Sequence, residues 1–267
     1  MIKQDITAEN YILYLSTVSA GTIRTLSEAL KEVLTDVNVY FDNTGIKIMS
    51  MDGAKVALVH LKLDAPQFEQ YHCFQSTQIG INMLSFFKLL KSIGNNDTLT
   101  LYIEKDDSYN LGILIENKDR NLVNNIKLKL LDLDDAVLEI PHVSFDSVIT
   151  MPCVDFQKYC RDLSSISEIV KISSKGDIFS MESEGDFAKQ SISIGETSNG
   201  LVISKRDSAV SGSFPLKFLN LFCKSSSLCS NIELYIKDQY PLIIVFAVAN
   251  LGNLKFGLAP LTEEQLT

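Results

Sequence analysis

Short runs of mostly apolar residues, rich in Val, Ile, Leu and Tyr, dominate the chain and predict β-strands. In the first half they cover 11–17, 37–41, 45–50, 55–63 and 98–103, and a further alternating run ends near 130. In the second half they cover 145–151, 168–173, 177–181, 190–196, 200–204, 231–236 and 242–249. Many short strands separated by turn residues are typical of antiparallel sheets.

Four other segments repeat their apolar residues at helical spacing. In the first of them, Ile23, Leu26 and Leu30 fall on one side of a helix, and the other three show the same periodicity. The four segments are 21–34, 82–94, 153–166 and 215–226. The pattern therefore predicts an α+β protein in which each half of the chain has two amphipathic helices against antiparallel sheet.

The same order of elements occurs twice along the chain. Ser50-Met51-Asp52 recurs as Ser180-Met181-Glu182, and Leu101-Tyr102-Ile103 recurs as Leu234-Tyr235-Ile236. The helical segments recur at a similar spacing, and all these offsets lie between 129 and 134 residues. A repeat of this kind indicates two similar structural units. We predict two domains, 1–130 and 142–267, joined by an acidic connector at 131–141.

The polar faces of the predicted helices are basic, although the chain as a whole is acidic. A formal net charge of −9 argues, by itself, against a nucleic-acid partner. The four helical segments nevertheless sum to +4, which leaves −13 on the rest of the chain. Solvated outer faces are the ordinary explanation of such charges, but the same polarity on all four helices favours one collected basic surface. The residues are Arg24, Lys31, Lys88, Lys91, Lys158, Arg161, Lys217 and Lys224.

The sequence has no recognisable pattern of catalytic, metal-binding or nucleotide-binding residues. It contains no P-loop, dinucleotide-binding or zinc-protease motif. Five cysteines without a C-x-x-C pair predict free thiols in a reducing compartment. We expect no enzymatic activity, no catalytic residue, no metal and no cofactor.

Nothing in the sequence predicts a membrane segment. The longest apolar runs are too short to span a bilayer. The fairly apolar stretch from Tyr11 to Val18 follows Asp5 and Glu9, where a signal peptide would carry positive charge. We therefore interpret that stretch as the first strand and expect no membrane partner.

Four motifs, found in order along the chain, are more specific than the overall pattern. Met49-Ser50-Met51-Asp52 is close to Q-S-M-D, and 129–134 followed by Ile140-Pro141 is close to K-L-M-D-L-D and I-P. Residues 160–164 match C-R-D-L-S, and 254–260 are close to L-K-Y-Y-L-A-P. By these motifs the chain resembles, over nearly its whole length, the eukaryotic-type DNA sliding clamps of the proliferating cell nuclear antigen family.

The resemblance implies a ring of three identical chains, with sheets outside and helices lining a central hole for duplex DNA. The family's lining residues carry over to the same eight Lys and Arg residues that the helix pattern singles out. The resemblance also implies which strands pair between subunits. We expect sheet edges near 121–130 and 188–196, where a proline at Lys127 or Ile192 should remove a backbone donor and favour monomers.

A pocket for partner proteins is the second site that the resemblance implies. The connector and the carboxy-terminal segment would together receive peptides of the form Q-x-x-(apolar)-x-x-aromatic-aromatic. The corresponding residues are Met51, Val56, Leu58, Leu138, Ile140, Pro141, Pro241, Leu258, Ala259 and Pro260.

The chain departs from the family pattern near this pocket and at its amino terminus. Gly257 stands where the family has a second aromatic residue, which should widen the pocket. Lys55 replaces a histidine at its mouth, and about ten residues precede the usual first strand. Lys175 is the nearest match to the lysine that the family modifies with ubiquitin, but the match requires a gap.

The function expected on this basis is that of a DNA polymerase processivity factor that recruits replication and repair proteins. Double-stranded DNA, DNA polymerase, the clamp loader and other copies of the chain are the expected partners. One subunit of a heteromeric, checkpoint-like ring is the alternative. The expected location is intracellular, in the nucleus or at a viral DNA replication site.

Overall fold

A computed structural model describes residues 6–94, 96–134, 143–197, 200–206, 208–262 and 264. The chain divides into two compact units, each built from more than one segment. The first unit comprises Met1–Ser50, His60–Leu138 and Val248–Asn253, and the second comprises Met51–Val59, Glu139–Ala247 and Leu254–Thr267.

The first half of the chain contains nine strands and two helices in its described part. The strands are β1 (Tyr11–Thr17), β2 (Asp36–Asp42), β3 (Gly45–Met51), β4 (Ala57–Asp64), β5 (Gln70–Cys73), β6 (Thr77–Asn82), β7 (Thr98–Glu104), β8 (Asn110–Asn117) and β9 (Leu122–Lys129). The helices are α1 (Ala20–Leu30) and α2 (Met83–Leu90). The strands form one antiparallel array in the order β5-β1-β7-β8-β9 and another in the order β4-β3-β2-β6.

The second half repeats this arrangement. Its strands are β10 (Ser147–Pro152), β11 (Ile169–Lys175), β12 (Ile178–Glu184), β13 (Lys189–Gly195), β14 (Val202–Arg206), β15 (Val210–Pro215), β16 (Asn231–Ile236), β17 (Leu242–Val248) and β18 (Gly252–Leu258). The helices are α3 (Cys153–Ser164) and α4 (Leu216–Phe222), and a 3₁₀ turn (Cys223–Ser227) continues α4. The strand orders are β14-β10-β16-β17-β18 and β13-β12-β11-β15. The predicted α+β class, with two similar sets of antiparallel sheet and two helices each, is confirmed.

The helices pack in pairs, α1 with α2 and α3 with α4. Each buries one stripe of apolar side chains, such as Ile23, Leu26 and Leu30 on α1. Burial of a leucine or phenylalanine stabilises a fold by about 1.5–3 kcal/mol relative to exposure. These stripes therefore fix which face of each helix points away from the core.

The helices are shorter than the apolar spacing predicts. The structure ends α1 at Leu30 rather than 34 and α2 at Leu90 rather than 94. In the last segment the α-helix ends at Phe222 and continues as the 3₁₀ turn. Apolar residues in a turn after a helix, such as Leu34, are as buried as those within it, so spacing alone overextends the helix.

Five strands were not predicted, namely β5, β6, β8, β15 and β18. Four of them contain glycine, which lowers strand propensity, and in β8 the glycine has a packing role. A Cβ atom on Gly112 would lie 2.2 Å from the ring of Tyr102 on the neighbouring strand β7. Glycine at this position therefore leaves room for an aromatic ring that crosses the strand.

The structure confirms that β9 and β13 lie at sheet edges. Neighbouring hydrogen bonds show which backbone groups of these strands point outward. Leu130 N donates to Tyr109 O (3.0 Å), and Gly185 N donates to Ala188 O (2.9 Å). Because hydrogen-bonding direction alternates along an antiparallel strand, the odd-numbered N–H groups of both edges point away from their own sheet.

This alternation corrects one of the two proline positions expected from sequence. The N–H group of Lys127 points outward, so a proline there would spare the ladder with β8. The N–H group of Ile192 points inward to Met181, so a proline there would break the chain's own sheet. Ser191 and Ser193 are interior positions of β13 whose N–H groups are free of that ladder.

We predict that Lys127→Pro and Ser191→Pro will each weaken self-association of the chain without unfolding it. Proline removes one outward backbone donor and leaves the internal ladder intact. Sedimentation at several protein concentrations would measure the shift toward monomer, and circular dichroism would check the fold.

Lys127→Ala and Ser191→Ala are the matched controls. Both keep the backbone N–H, and the first also removes the ion pairs of Lys127 with Glu104 and Asp107. If the proline and alanine variants associate equally well, these edges are not where copies of the chain meet.

Among the described residues, no helix is both long enough and apolar enough to cross a membrane.

Candidate functional site

The first unit places its four predicted basic residues on one helix pair. Arg24 lies on α1, and Lys88 lies on α2. Lys31 and Lys91 are the C-cap residues that directly follow α1 and α2. Lys88 and Lys91 are exposed, whereas Arg24 and Lys31 are half-buried.

The two half-buried cations already have partners within the protein. The Arg24 guanidinium donates to the carbonyl oxygen of Ile93. Lys31 forms an ion pair with Glu32, and its Nζ lies 5.0 Å from the centre of the Phe87 ring. These contacts hold both side chains in place and leave them less free than Lys88 and Lys91 to meet an outside anion.

The second unit presents its basic residues more openly. Lys158 and Arg161 lie on α3, Lys217 lies on α4, and Lys224 lies on the 3₁₀ turn after α4. All four are exposed, and within the described part of the chain none has a hydrogen bond or ion pair. A cation without an internal partner can form an ion pair with an anion from outside at little cost to the fold.

Polar contacts hold α3 and α4 side by side. Asn220 on α4 donates from Nδ2 to the hydroxyl oxygen of Ser164 on α3 (2.6 Å). Gln157 on α3 donates to the carbonyl oxygen of Cys223 (3.3 Å). The basic residues of the second unit are thus carried on elements that are tied to one another, which fixes their spacing.

This arrangement can attract a polyanion but is not built to recognise bases. Lysine ammonium groups on short, separate elements suit the phosphate backbone, whose contacts carry no sequence information. Among the described residues, no group of three or more His, Cys, Asp or Glu side chains could hold a metal ion.

Asp52 stabilises the turn at residues 52–57, which includes the predicted pocket residue Val56. Its buried carboxylate accepts hydrogen bonds from the backbone N–H groups of Ala54 (2.9 Å), Val56 (2.7 Å) and Ala57 (2.7 Å). Lys55 in the same turn has φ = 57°, a left-handed conformation that non-glycine residues seldom adopt. Three charge-assisted hydrogen bonds offset this strain and position Val56 directly before β4.

The carboxy-terminal segment packs onto the residues that this turn positions. The N–H group of Ala259 donates to the carbonyl oxygen of Val56 (3.2 Å). Met51 is 37% exposed, and Val56, Leu58, Pro241 and Pro260 are half-buried. Ala259 is exposed, whereas Leu258 is fully buried and belongs to the core beneath.

Gly257 lies between two apolar side chains on this surface. A Cβ atom there would be 3.3 Å from Ile243 Cδ1 and 3.5 Å from Leu58 Cβ. Ile243 is half-buried and was not predicted as a pocket residue. Its place on β17, two residues after Pro241, puts both on the same face of the sheet, and that alternation is the signal that could have identified it.

The structure describes only the beginning of the connector. The N–H group of Leu131 donates to the carbonyl oxygen of Gly80 on β6 (2.8 Å), and the Asn38 side chain donates to the carbonyl oxygen of Asp134 (3.1 Å). A Cβ atom on Gly80 would lie 2.4 Å from the carbonyl oxygen of Leu131, so only glycine permits this approach. The predicted pocket residues Leu138, Ile140 and Pro141 lie outside the described residues.

Comparison with known proteins gives matches along almost the entire chain. The family model for the N-terminal domain of proliferating cell nuclear antigen matches residues 13–137, and the model for its C-terminal domain matches residues 139–261. The chain is also 39% identical over 257 residues to a protein of Paramecium bursaria Chlorella virus 1 named probable DNA polymerase sliding clamp 1. That alignment covers 95% of this chain and 98% of the viral protein.

The repeated sheet-and-helix architecture, both domain matches and the viral relative agree, and the chain belongs to the proliferating cell nuclear antigen family.

Proposed function

We propose that the chain is a DNA sliding clamp, a processivity factor that encircles duplex DNA and keeps DNA polymerase on its template. The observation that carries this proposal is a set of six exposed Lys and Arg residues on or just after the helices of a chain whose net charge is −9. Within the part of the chain that the structure describes, none of the six forms a hydrogen bond or an ion pair. Family membership and the printed name of the viral relative support it.

The mechanism is topological and requires no catalytic group. A closed ring stays on DNA because it cannot come off sideways, so its contacts with phosphate need only be weak. Exposed lysines provide such contacts, and each can exchange one phosphate for the next as the ring moves. The proposed lining consists of Arg24, Lys31, Lys88, Lys91, Lys158, Arg161, Lys217 and Lys224.

The proposed ring is a homotrimer closed by pairing of β9 on one copy with β13 on the next. Both strands are edges whose odd-numbered N–H groups point outward, and an open edge in solution is an aggregation hazard. One chain supplies both edges, so identical copies can close a ring without a second kind of subunit. The heteromeric alternative is therefore less favoured.

Partner proteins are proposed to dock on the surface around Val56, Leu58, Pro241, Ala259 and Pro260, together with the connector residues. Half-buried apolar side chains suit an aromatic anchor, and a partner peptide would carry the sequence Q-x-x-(apolar)-x-x-aromatic-aromatic. DNA polymerase and the clamp loader are the expected carriers of such peptides, in the nucleus or at a viral replication site.

Changing Lys88, Lys91, Lys217 and Lys224 to alanine should weaken retention on circular duplex DNA. Each phosphate contact that is lost lowers the number of counterions released on binding by about one. The slope of log affinity against log salt should therefore become shallower by about one unit per contact. Retention on nicked circles, measured from 50 to 300 mM salt, would report the slope.

A second quadruple variant separates position from total charge. Lys62, Lys118, Lys171 and Lys175 are also exposed but lie away from the four helices, and their change to alanine removes the same charge. This variant should keep nearly the parent slope. Equal slopes for the two variants would contradict a DNA-facing role for the helices.

In the partner pocket, Leu58→Ala and Ile140→Ala should each weaken binding of a peptide of the stated form by about tenfold or more. Losing about 50–100 Å² of apolar contact costs roughly 1.5–3 kcal/mol. Gly257→Tyr should tighten binding, because its ring would extend the apolar surface formed by Leu58 and Ile243. Calorimetric titration of one unlabelled peptide against the parent chain and each variant would measure these affinities.

Gly257→Ala is the control for the tyrosine variant, since it adds only the Cβ atom that contacts Ile243. It should change peptide affinity little. If parent, Leu58→Ala and Gly257→Tyr bind the peptide alike, partners dock elsewhere on the chain.

A further inference from the structure

Four of the five cysteines lie either on α3 or on the segment that follows α4. Cys153 is the first residue of α3, and its Sγ atom lies 3.7 Å from that of Cys229, which precedes β16. Two turns further along α3, Cys160 lies near Cys223, the first residue of the 3₁₀ turn after α4. The fifth, Cys73, lies on the edge strand β5 of the first unit.

The two thiol pairs differ in how accessible they are. Cys160 and Cys223 are 0% and 3% exposed, so an oxidant in solution cannot reach either sulfur. Cys153 is also buried, but Cys229 is half-buried and opens onto solvent. Only the Cys153–Cys229 pair therefore combines sulfur contact with a route for a small reagent.

The environment of this pair distinguishes a nucleophile from its partner. The hydrogen bond from Cys153 lowers the pKa of Cys229 to about 7, against the opposing effect of burial and with help from the Ala247 backbone. The same hydrogen bond, together with burial, raises the pKa of Cys153. The hydrogen bond between the two sulfurs thus favours the thiolate form of Cys229 over that of Cys153. When protonated, Cys229 can instead donate to the carbonyl oxygen of Asn231, 3.1 Å away.

We propose that Cys153 and Cys229 form a site of reversible thiol–disulfide modification, which covalently links the start of α3 to the segment before β16. The oxidant is a small-molecule disulfide such as oxidised glutathione. Cys229 thiolate attacks one of its sulfurs, and a protein–glutathione disulfide forms as glutathione thiolate leaves. Cys153 then loses its proton and attacks Cys229 Sγ, which forms the internal disulfide and expels the second glutathione thiolate. Two protein thiols are oxidised, and one glutathione disulfide is reduced to two glutathione molecules.

A backbone hydrogen bond already holds the two residues close to each other. The N–H group of Cys153 donates to the carbonyl oxygen of Ser230, the residue next to Cys229 (2.9 Å). Bond formation requires the sulfurs to approach from 3.7 Å to about 2.05 Å, a movement that side-chain rotation can supply. Since the two residues are 76 positions apart, the bridge closes a long loop and should stabilise the second unit.

The test uses the full-length chain with Cys73 changed to serine, equilibrated with oxidised glutathione and analysed by mass spectrometry without reduction. A loss of two hydrogens and a peptide that links Cys153 to Cys229 are expected. Thermal unfolding should shift upward by about 5 °C or more and return on reduction. Absence of the linked peptide under strongly oxidising glutathione buffer would overturn the proposal.

Three variants define the order of the steps. Cys153→Ala should stop at the mixed disulfide on Cys229, whereas Cys229→Ser should form neither product. Cys223→Ser should still form the bridge, because the buried pair takes no part. Equal glutathione addition to the Cys153→Ala and Cys229→Ser variants would also contradict the proposed roles.

Reaction with iodoacetamide at pH 7 compares the two accessible thiols in the parent chain. Burial, followed by the charge of Asp42, raises the pKa of Cys73. Alkylation should therefore be at least about tenfold faster at Cys229 than at Cys73, because the thiolate is the nucleophile. Equal rates at the two sites would contradict the assignment of Cys229 as the attacking residue.

Discussion

The burial of one apolar stripe on each helix is the interaction on which the rest of the structure depends. Phe156, Leu163, Leu219 and Phe222 are almost completely removed from water, so α3 and α4 cannot rotate without exposing them. The polar face of each helix is thereby fixed, and its lysines are held on one side despite their mutual repulsion. Apolar packing thus determines where the positive charge of an acidic protein collects.

On the surface proposed for partners, the hydrogen bonds of a single carboxylate hold the local structure in place, rather than the packing of an apolar stripe. Asp52 satisfies three backbone donors in a turn that contains a residue in left-handed conformation. This turn places the carbonyl oxygen of Val56 where it accepts a hydrogen bond from the N–H group of Ala259. The Ser-Met-Asp motif therefore has a structural reason, since neither Asn nor Ser could offer two acceptor oxygens with full negative charge.

Local periodicity predicted the four helices and the basic residues on them, similar motifs at a constant offset predicted the repeat, and the family resemblance predicted the two edge strands. They did not predict β5, whose residues Gln70–Cys73 are mostly polar, or β8, whose glycine accommodates Tyr102. Ile192 was assigned the wrong hydrogen-bonding direction, since periodicity gives the side-chain face but not the ladder. The contacts of Cys153 with Cys229 and of Ile243 with Gly257 join distant segments, and no local pattern encodes them.

The edge strands β9 and β13 each carry a lysine whose charge is balanced by carboxylates of its own chain. Lys127 on β9 pairs with Asp107 and Glu104, and Lys189 on β13 pairs with Glu182 and Glu184. The hydrogen bonds that both lysines donate to these carboxylates raise the pKa of each lysine, so both stay charged at any physiological pH. Contacts between such edges would rest on uncharged backbone groups, whereas contacts with phosphate would rest on free cations. Ionic strength could then loosen the hold on DNA while the closure of the ring stayed almost unchanged.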